Sequence, residues 1–370
     1  MKEKIVIIGA NDFQNRLILK AKELGYETHV FAWKSGDIGE KTADYFYPIS
    51  ITEKEKILEE CKKINPKGIC SIASDLAVVT VNYVAEKLGL IGNAINTTLG
   101  CTNKYEMRKK MKKAGVRVPE FAKVKQDQDN IDFCDMKFPL IVKPTDRSGS
   151  RGITKILKKE ELKDAIITAT NQSFDKEAII EEYIEGNEYS CECISYKGEH
   201  TFLTFTKKYT TGAPNFIETG HVQPSDIPVE YQESIKQEIF KALDALEIKN
   251  GASHTEFKLD IDGNCRIIEI GARMGGDCIG SDLVQISTGY DFIKMVIDVA
   301  CGKKPLLEKT TEGKKVEIRF LFNENDLKEL EEIKQKFPER IYRISDIDMG
   351  NLGKTVDSST RIGYYILGGI

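Results

Sequence analysis

The chain has 370 residues, 41% of them hydrophobic and 30% charged, with a formal net charge of −4. That composition is ordinary for a globular protein, and the length is too great for one compact core, so two or three domains are expected. The mildly acidic balance gives no electrostatic reason to expect nucleic acid or an anionic membrane as a partner.

The first hundred residues alternate strand and helix. Lys4–Gly9 reads as a short apolar strand that begins almost at once, leaving no signal peptide. Gln14–Leu24 follows as a helix closed by Gly25, Thr28–Trp33 as a second strand, Glu53–Ile64 as a helix, and Gly68–Ser74 as a third strand. Leu76–Leu88 is a helix closed by Gly89. Helix-closing glycines and this alternation predict βαβ units around a parallel sheet. The first strand–helix turn, Gly9-Ala10-Asn11-Asp12, lacks the G-x-G-x-x-G fingerprint, so a Rossmann-like fold is expected without dinucleotide binding.

Residues 103–114 form a basic amphipathic helix ending at Gly115, and Lys109, Lys110, Lys112 and Lys113 read as its solvated face. A small α+β segment follows from Phe121 to Ile184. The chain is then strand-rich to Glu269, helical near Asp282–Ala300, and mixed from Lys314, with a charged helix over Asp326–Lys336. No internal repeat, low-complexity linker or apolar run long enough to span a bilayer interrupts it. Nine cysteines without framework spacing point to reduced thiols in the cytoplasm. His29, His200, His221 and His254 form no zinc-type cluster.

Several segments carry chemistry. Lys143 ends an apolar strand at Pro144, and Asp146-Arg147-Ser148-Gly149-Ser150-Arg151-Gly152 follows it. Small residues there expose backbone N–H groups to phosphate oxygens, although taken alone the segment is equally a flexible hairpin loop. Ala178–Ser190 runs from an apolar strand into acidic residues. It reads either as a wall for an adenine edge and ribose hydroxyls or as a charged edge strand. His254–Ile261 and Asn264–Ile270 flank Asp262-Gly263, a favoured two-residue type I′ turn. With Ile261 facing Asn264, counting back sets Glu256 opposite Glu269. Like charges placed so are destabilising unless a cation lies between them, and Mg²⁺ shared with phosphates suits oxygen ligands. A one-residue change of register would abolish that pairing. Arg273, in Gly271-Ala272-Arg273-Met274-Gly275-Gly276-Asp277, lies four residues beyond Glu269, near enough for cation and guanidinium to converge on one transferring phosphoryl group. Gly350-Asn351-Leu352-Gly353-Lys354-Thr355 imitates a Walker A loop, but Asp348 stands where the motif needs glycine.

In this order, over nearly the whole chain, these elements resemble the ATP-grasp superfamily. The resemblance implies a mixed α/β and α+β architecture, an ATP-grasp fold behind an N-terminal Rossmann-like (pre-ATP-grasp) domain. The divisions expected are residues 1–100, residues 101–187 with the phosphate loop, and residues 188–370 with the metal site. It implies that Lys104 and Lys143 bind nucleotide phosphates, and that Ser148, Gly149, Ser150 and Gly152 close over them. It places Glu181, Glu182, Tyr183 and Ile184 at the adenine and Glu188 at the ribose. Glu256 and Glu269 match the metal-binding pair for Mg²⁺, with Mn²⁺ as the alternative ion, and Arg273 matches the arginine at the reacting carboxylate. One departure is Gly271, where the family commonly has asparagine, which implies a weaker second ion.

Phe216-Ile217-Glu218-Thr219-Gly220-His221 resembles the substrate segment of amino-acid ligases of the bacilysin-synthetase type. The resemblance implies that Glu218 holds an ammonium group and that His221 contacts substrate or acyl phosphate, with Lys207–Asn215 as a lid. The expected activity is ATP-dependent joining of a small-molecule carboxylate and amine, without nucleic acid or membrane partners and with a homodimer common among relatives. Two rival readings stand beside it, a purine-pathway-like ligase or carboxylase, whose N-terminal domain would hold a phosphate, and a non-catalytic ATP-binding module. The Gly9-Ala10-Asn11 turn and the Ser74-Asp75 strand end could line either kind of substrate.

Overall fold

A computed structural model describes residues 2–126, 136–260 and 262–369. Its strands form three sheets. The first contains β1 (Lys4–Ile8), β2 (Glu27–Phe31), β3 (Tyr45–Tyr47) and β4 (Gly68–Cys70), all parallel in the order β3-β2-β1-β4. The second contains β5 (Phe121–Lys125), β6 (Leu140–Pro144), β7 (Thr154–Ile156) and β8 (Glu177–Glu182), antiparallel in the order β5-β8-β6-β7.

The third sheet holds the remaining eight strands: β9 (Asn187–Tyr196), β10 (Glu199–Thr210), β11 (Glu218–Gln223), β12 (Gly251–Leu259), β13 (Cys265–Gly271), β14 (Val316–Leu321), β15 (Ile341–Ile344) and β16 (Gly363–Gly368). Their order is β13-β12-β9-β10-β11-β14-β16-β15. Among the described residues no helix is long and apolar enough to cross a membrane.

The parallel sheet matches the alternation expected of the first hundred residues, with two differences. Tyr45–Tyr47 is a fourth strand that the apolar pattern did not reveal, because its residues are exposed or half-buried at the sheet edge. The strand expected over Gly68–Ser74 ends at Cys70, and Ser74 caps the next helix, Asp75–Leu88, by accepting from Ala77 N–H. Gly89 closes that helix at φ +66, a left-handed conformation that glycine adopts without steric cost.

Strand alternation decides where the large sheet puts its charges. On β9, Tyr189, Cys191 and Cys193 join Phe205, Phe257 and Ile267 in one apolar core against the helix Val229–Ala245. The intervening residues Glu188, Ser190 and Glu192 therefore lie on the opposite face, as do His254, Glu256 and Lys258 of β12. A separate core unites the parallel sheet with the helix Phe292–Ala300 from the far end of the chain. Gly68 sits so close to that helix that an added Cβ would lie 2.4 Å from the Ala300 carbonyl oxygen.

The β12–β13 hairpin differs from its expected form. Leu259 pairs with Cys265, and Asp260 N–H donates to the Asn264 carbonyl at 3.2 Å, so the two-residue turn counted from the sequence does not form. The expected partner Ile261 lies outside the described residues. A bulge then shifts the register between Glu256 and Phe257, skipping Ile268, and Glu256 pairs with Glu269 after all. Two one-residue departures cancel.

Phe257 is fully buried between the rings of Tyr189 and Phe205. Phe257→Ala is expected to lower the unfolding free energy by about 3–5 kcal/mol in urea titration, because the surrounding strands cannot collapse into the void.

Candidate active site

A cleft of about 450 Å³ opens between the small antiparallel sheet and the charged face of the large one. Its size suits a small-molecule ligand. Of the residues expected at the site, all but Gly152 line it. Gly152 serves the backbone instead, at φ +67 with the Gln172 and Pro144 side chains 3.0–3.2 Å from where a Cβ would be.

One end is built on buried ion pairs. Lys143, the last residue before Pro144 on β6, places its ammonium 2.6 Å from Glu181 Oε2. Arg108 donates from Nε to Glu181 Oε1 at 2.5 Å and from Nη2 to the Ile268 carbonyl. Burial alone would raise the Glu181 pKa, but Arg108 and Lys143 hold it below the usual carboxylate range. Glu181 is thus a carboxylate that orients Lys143. Tyr183 and Ile184 continue the wall, with Lys258 donating to the Ile184 carbonyl at 3.2 Å and the Lys155 ammonium over the Tyr183 ring. Glu182 accepts from Lys137 N–H.

At the middle of the cleft Glu256 and Glu269 face each other across the hairpin, and each meets an ammonium. Lys104 donates to Glu269 Oε1 at 2.8 Å and to the Arg147 carbonyl at 2.6 Å, tying the carboxylate to the phosphate-type loop. Asn103 caps the helix Lys104–Lys113 by accepting from Tyr105 and Glu106 N–H, which fixes where Lys104 emerges. Lys208 lies 2.5 Å from Glu256, 3.5 Å from Glu188 and 4.0 Å from Glu218. Burial would lower its pKa, but the three carboxylates raise it. Among the described residues no group of three His, Cys, Asp or Glu side chains is arranged to hold a metal by itself. Two facing carboxylates do fit a Mg²⁺ ion whose remaining ligands are phosphate oxygens and water.

The other end gathers the loop after β13. Arg273 grips Asp75 through Nε (2.8 Å to Oδ1) and Nη2 (3.1 Å to Oδ2). Burial would raise the Asp75 pKa, and Arg273 lowers it. A Cβ on Gly271 would lie 3.1 Å from both Arg273 Cζ and Asp75 Oδ1, so the missing side chain leaves room for this pair. Glu218 accepts from Ser358 Oγ at 2.7 Å and from Arg361 Nη2 at 2.9 Å. Arg361 also bonds Asp277 at 3.0 Å, with His221 Nε2 3.5 Å from the same carboxylate. Glu218 is therefore a neutralised carboxylate. The phosphate-type loop reaches across, Ser150 Oγ donating to the Phe216 carbonyl at 3.0 Å.

Three participants were missed in the sequence, and a fourth, Asp75, was named only as part of the Ser74-Asp75 strand end. Lys208 was readable from alternation, since Lys207 and Lys208 must face opposite sides of β10. Asp75 had a signal in its place at the first turn after a strand. Arg108 hides in a helix where Lys109, Lys112 and Lys113 are exposed as expected, whereas Lys110 of the expected solvated face is half-buried. Arg361 arrives by tertiary packing over the Phe320 ring and had no local signal. The Gly9–Asn11 turn, considered for a substrate phosphate, is absent from the cleft lining among the described residues, whereas Ala73, Ser74, Asp75 and Leu76 line it.

Residues 136–282 match the family model of the ATP-grasp domain. The chain has the ATP-grasp fold, preceded by a parallel-sheet domain. It is 26% identical over 314 residues to an alanine–anticapsin ligase of Bacillus subtilis, covering 75% of this chain and 65% of the ligase. The match therefore spans a little under two thirds of that relative's length. Among solved structures it is similar to an L-amino acid ligase from Bacillus licheniformis (TM-score 0.81, 23% identity, 99% and 93% coverage). It is also similar to a phosphoribosylglycinamide synthetase from Anaerococcus prevotii (TM-score 0.78, 25% identity, 100% and 94% coverage).

Burial would raise the Asp277 pKa, but Arg361 and His221 hold it below the ordinary value of 3.8. A depressed carboxyl contributes stability that is present above the unfolded pKa and lost as pH falls through the folded one. Wild-type unfolding free energy should therefore fall more steeply below about pH 4 than that of Asp277→Asn, as read by urea titration across the acid range.

Proposed function

We propose that the chain is an ATP-dependent ligase that activates a small-molecule carboxylate as an acyl phosphate and joins it to an amine, with amino acids as substrates. The observation that carries this reading is the facing pair Glu256 and Glu269 in a cleft where Lys104, Lys143, Lys208 and Arg273 converge. The similarity to amino acid ligases in sequence and fold supports the choice of substrates.

In this reading ATP lies along the cleft. Its base sits against the Tyr183–Ile184 wall beside Lys143, and the ribose meets Glu188. The phosphates meet Lys104, Lys208 and the loop Ser148–Ser150. Mg²⁺ or Mn²⁺ on Glu256 and Glu269 supplies neutralisation of phosphate charge. The substrate carboxylate attacks the γ-phosphorus in line, ADP departs, and an acyl phosphate forms. The amine then attacks the acyl carbon, a proton leaves the nitrogen, and phosphate is expelled. Arg273, held side-on by Asp75, places its guanidinium where charge develops on the transferring group. Glu218, His221 and Asp277 bound the substrate end, and loop closure onto Phe216 excludes water from the intermediate. No protein nucleophile is required, and the eight cysteines of the described residues are all buried. Free buried thiols suit a cytoplasmic enzyme, and the assembly expected from the resemblance is a homodimer.

The purine-type reading is supported by the likeness to a phosphoribosylglycinamide synthetase. Of the two N-terminal segments named for its phosphate, Ser74-Asp75 lines the cleft and Gly9–Asn11 is not among the lining residues.

The deciding experiment is Mg²⁺-dependent release of ADP and phosphate against pooled amino acids, with mass spectrometry of the products. A new amide mass is expected. Nucleotide binding without turnover on any amino acid or purine intermediate would replace the ligase with a binding module. In the same assay Lys143→Ala is expected to raise the KM for ATP at least tenfold with a smaller effect on kcat. Arg273→Ala should lower kcat by roughly 100-fold, as for loss of one charge-stabilising donor.

A further inference from the structure

Glu192 does not touch the cleft, yet its carboxylate is wholly buried at the centre of the large sheet. Burying a carboxylate costs several kcal/mol unless charge and hydrogen bonds compensate. Both of its oxygens are used. Oε1 meets His254 Nδ1, directly across the β9–β12 pair, and Oε2 accepts from Gly275 N–H at 3.1 Å. The other ring nitrogen, His254 Nε2, lies 3.2 Å from Glu256 Oε1. With a carboxylate beside each ring nitrogen, His254 links Glu192 to Glu256.

Gly275 belongs to the loop that presents Arg273. A Cβ there would lie 2.8 Å from His254 Nδ1 and 2.9 Å from Glu192 Oε1, so the loop backbone rests directly on the ion pair. One buried carboxylate thus sets two parts of the site. Through His254 it fixes the carboxylate facing Glu269. Through Gly275 it fixes the peptide two residues beyond Arg273. Asp75 grips Arg273 from the other side.

We infer that Glu192 is a positioning residue that holds the metal-facing carboxylate Glu256 and the Arg273 loop in mutual register by its bonds to His254 and Gly275. The inference rests on the ligase reading of the cleft. Glutamine at this position puts a carbonyl oxygen at only one of the two contacts and an NH2 donor at the other, whereas aspartate keeps the charge with a shorter reach.

The test uses the full chain and a non-hydrolysable ATP analogue, titrated by calorimetry with and without Mg²⁺, alongside ADP-release kinetics. In Glu192→Gln and in His254→Gln, analogue binding without Mg²⁺ should match wild type. The Mg²⁺ concentration giving half-maximal enhancement should rise roughly 10–100-fold, the usual effect of losing a partner behind a metal ligand. Only Glu192→Gln also releases Gly275, so only it should lower kcat further at saturating Mg²⁺, and Glu192→Asp should recover part of both losses. If Glu192→Gln does not fold, His254→Gln decides through its Mg²⁺ dependence. Folded variants with wild-type Mg²⁺ dependence and kcat would reduce the pair to a structural element and overturn the inference. A wild-type protein whose analogue binding ignores Mg²⁺ would overturn the reading of the cleft first, and this inference with it.

Discussion

Everything in this cleft depends on keeping several carboxylates on one face of one sheet. Glu188, Glu192, Glu256 and Glu269 lie on neighbouring strands, where like charges side by side oppose folding. The fold answers by interleaving cations among them. His254 stands between Glu192 and Glu256, Lys208 between Glu256 and Glu188, and Lys104 beside Glu269. For either lysine to turn toward an anionic ligand, another cation would have to take its place at the carboxylates. A phosphate chain arriving with a divalent metal satisfies both requirements together. That exchange gives a physical reason why nucleotide and metal would enter as one unit.

The supporting architecture follows from this demand. A polar sheet face needs a cover, and the small antiparallel sheet supplies it, carrying Lys143 and Glu181 inward. Arg108 then ties that cover to the large sheet by bonding Glu181 with one nitrogen and the Ile268 carbonyl with another. The parallel-sheet domain contributes through a single turn, whose Asp75 reaches Arg273. Its packing on the helix Phe292–Ala300 makes that reach dependable, because the two parts share one apolar core.

Much of this was legible in the sequence, and for physical reasons. Apolar periodicity marked most strands and helices, and motif order marked the cleft. Local rules failed where a residue's role is set by tertiary partners. Arg361 reaches Glu218 and Asp277 from near the end of the chain, and no neighbouring residue announces it. Glu181 was expected at the base through its own contacts, whereas its carboxylate is spent on Arg108 and Lys143. The pairing of Glu256 with Glu269 was anticipated through an idealised turn that does not exist, and it survives because the bulge at Ile268 offsets the longer loop. The right neighbours were reached by the wrong path.

That bulge divides the hairpin into two parts with different tolerance to change in length. Between the bulge and the tip, the pairs Phe257–Ile267 through Leu259–Cys265 put Phe257 in the core and Lys258 in the cleft wall before the chain turns. Residues gained or lost at the tip leave the charged face where it is. Removing Ile268 would instead straighten the strand, with Glu269 following Ile267 directly and still facing Glu256. The Ile268 carbonyl that Arg108 holds would go with it. Natural variation in this hairpin should accordingly collect at the tip and spare the bulge, so that loop length drifts while Arg108 keeps its acceptor and Glu256 still faces Glu269.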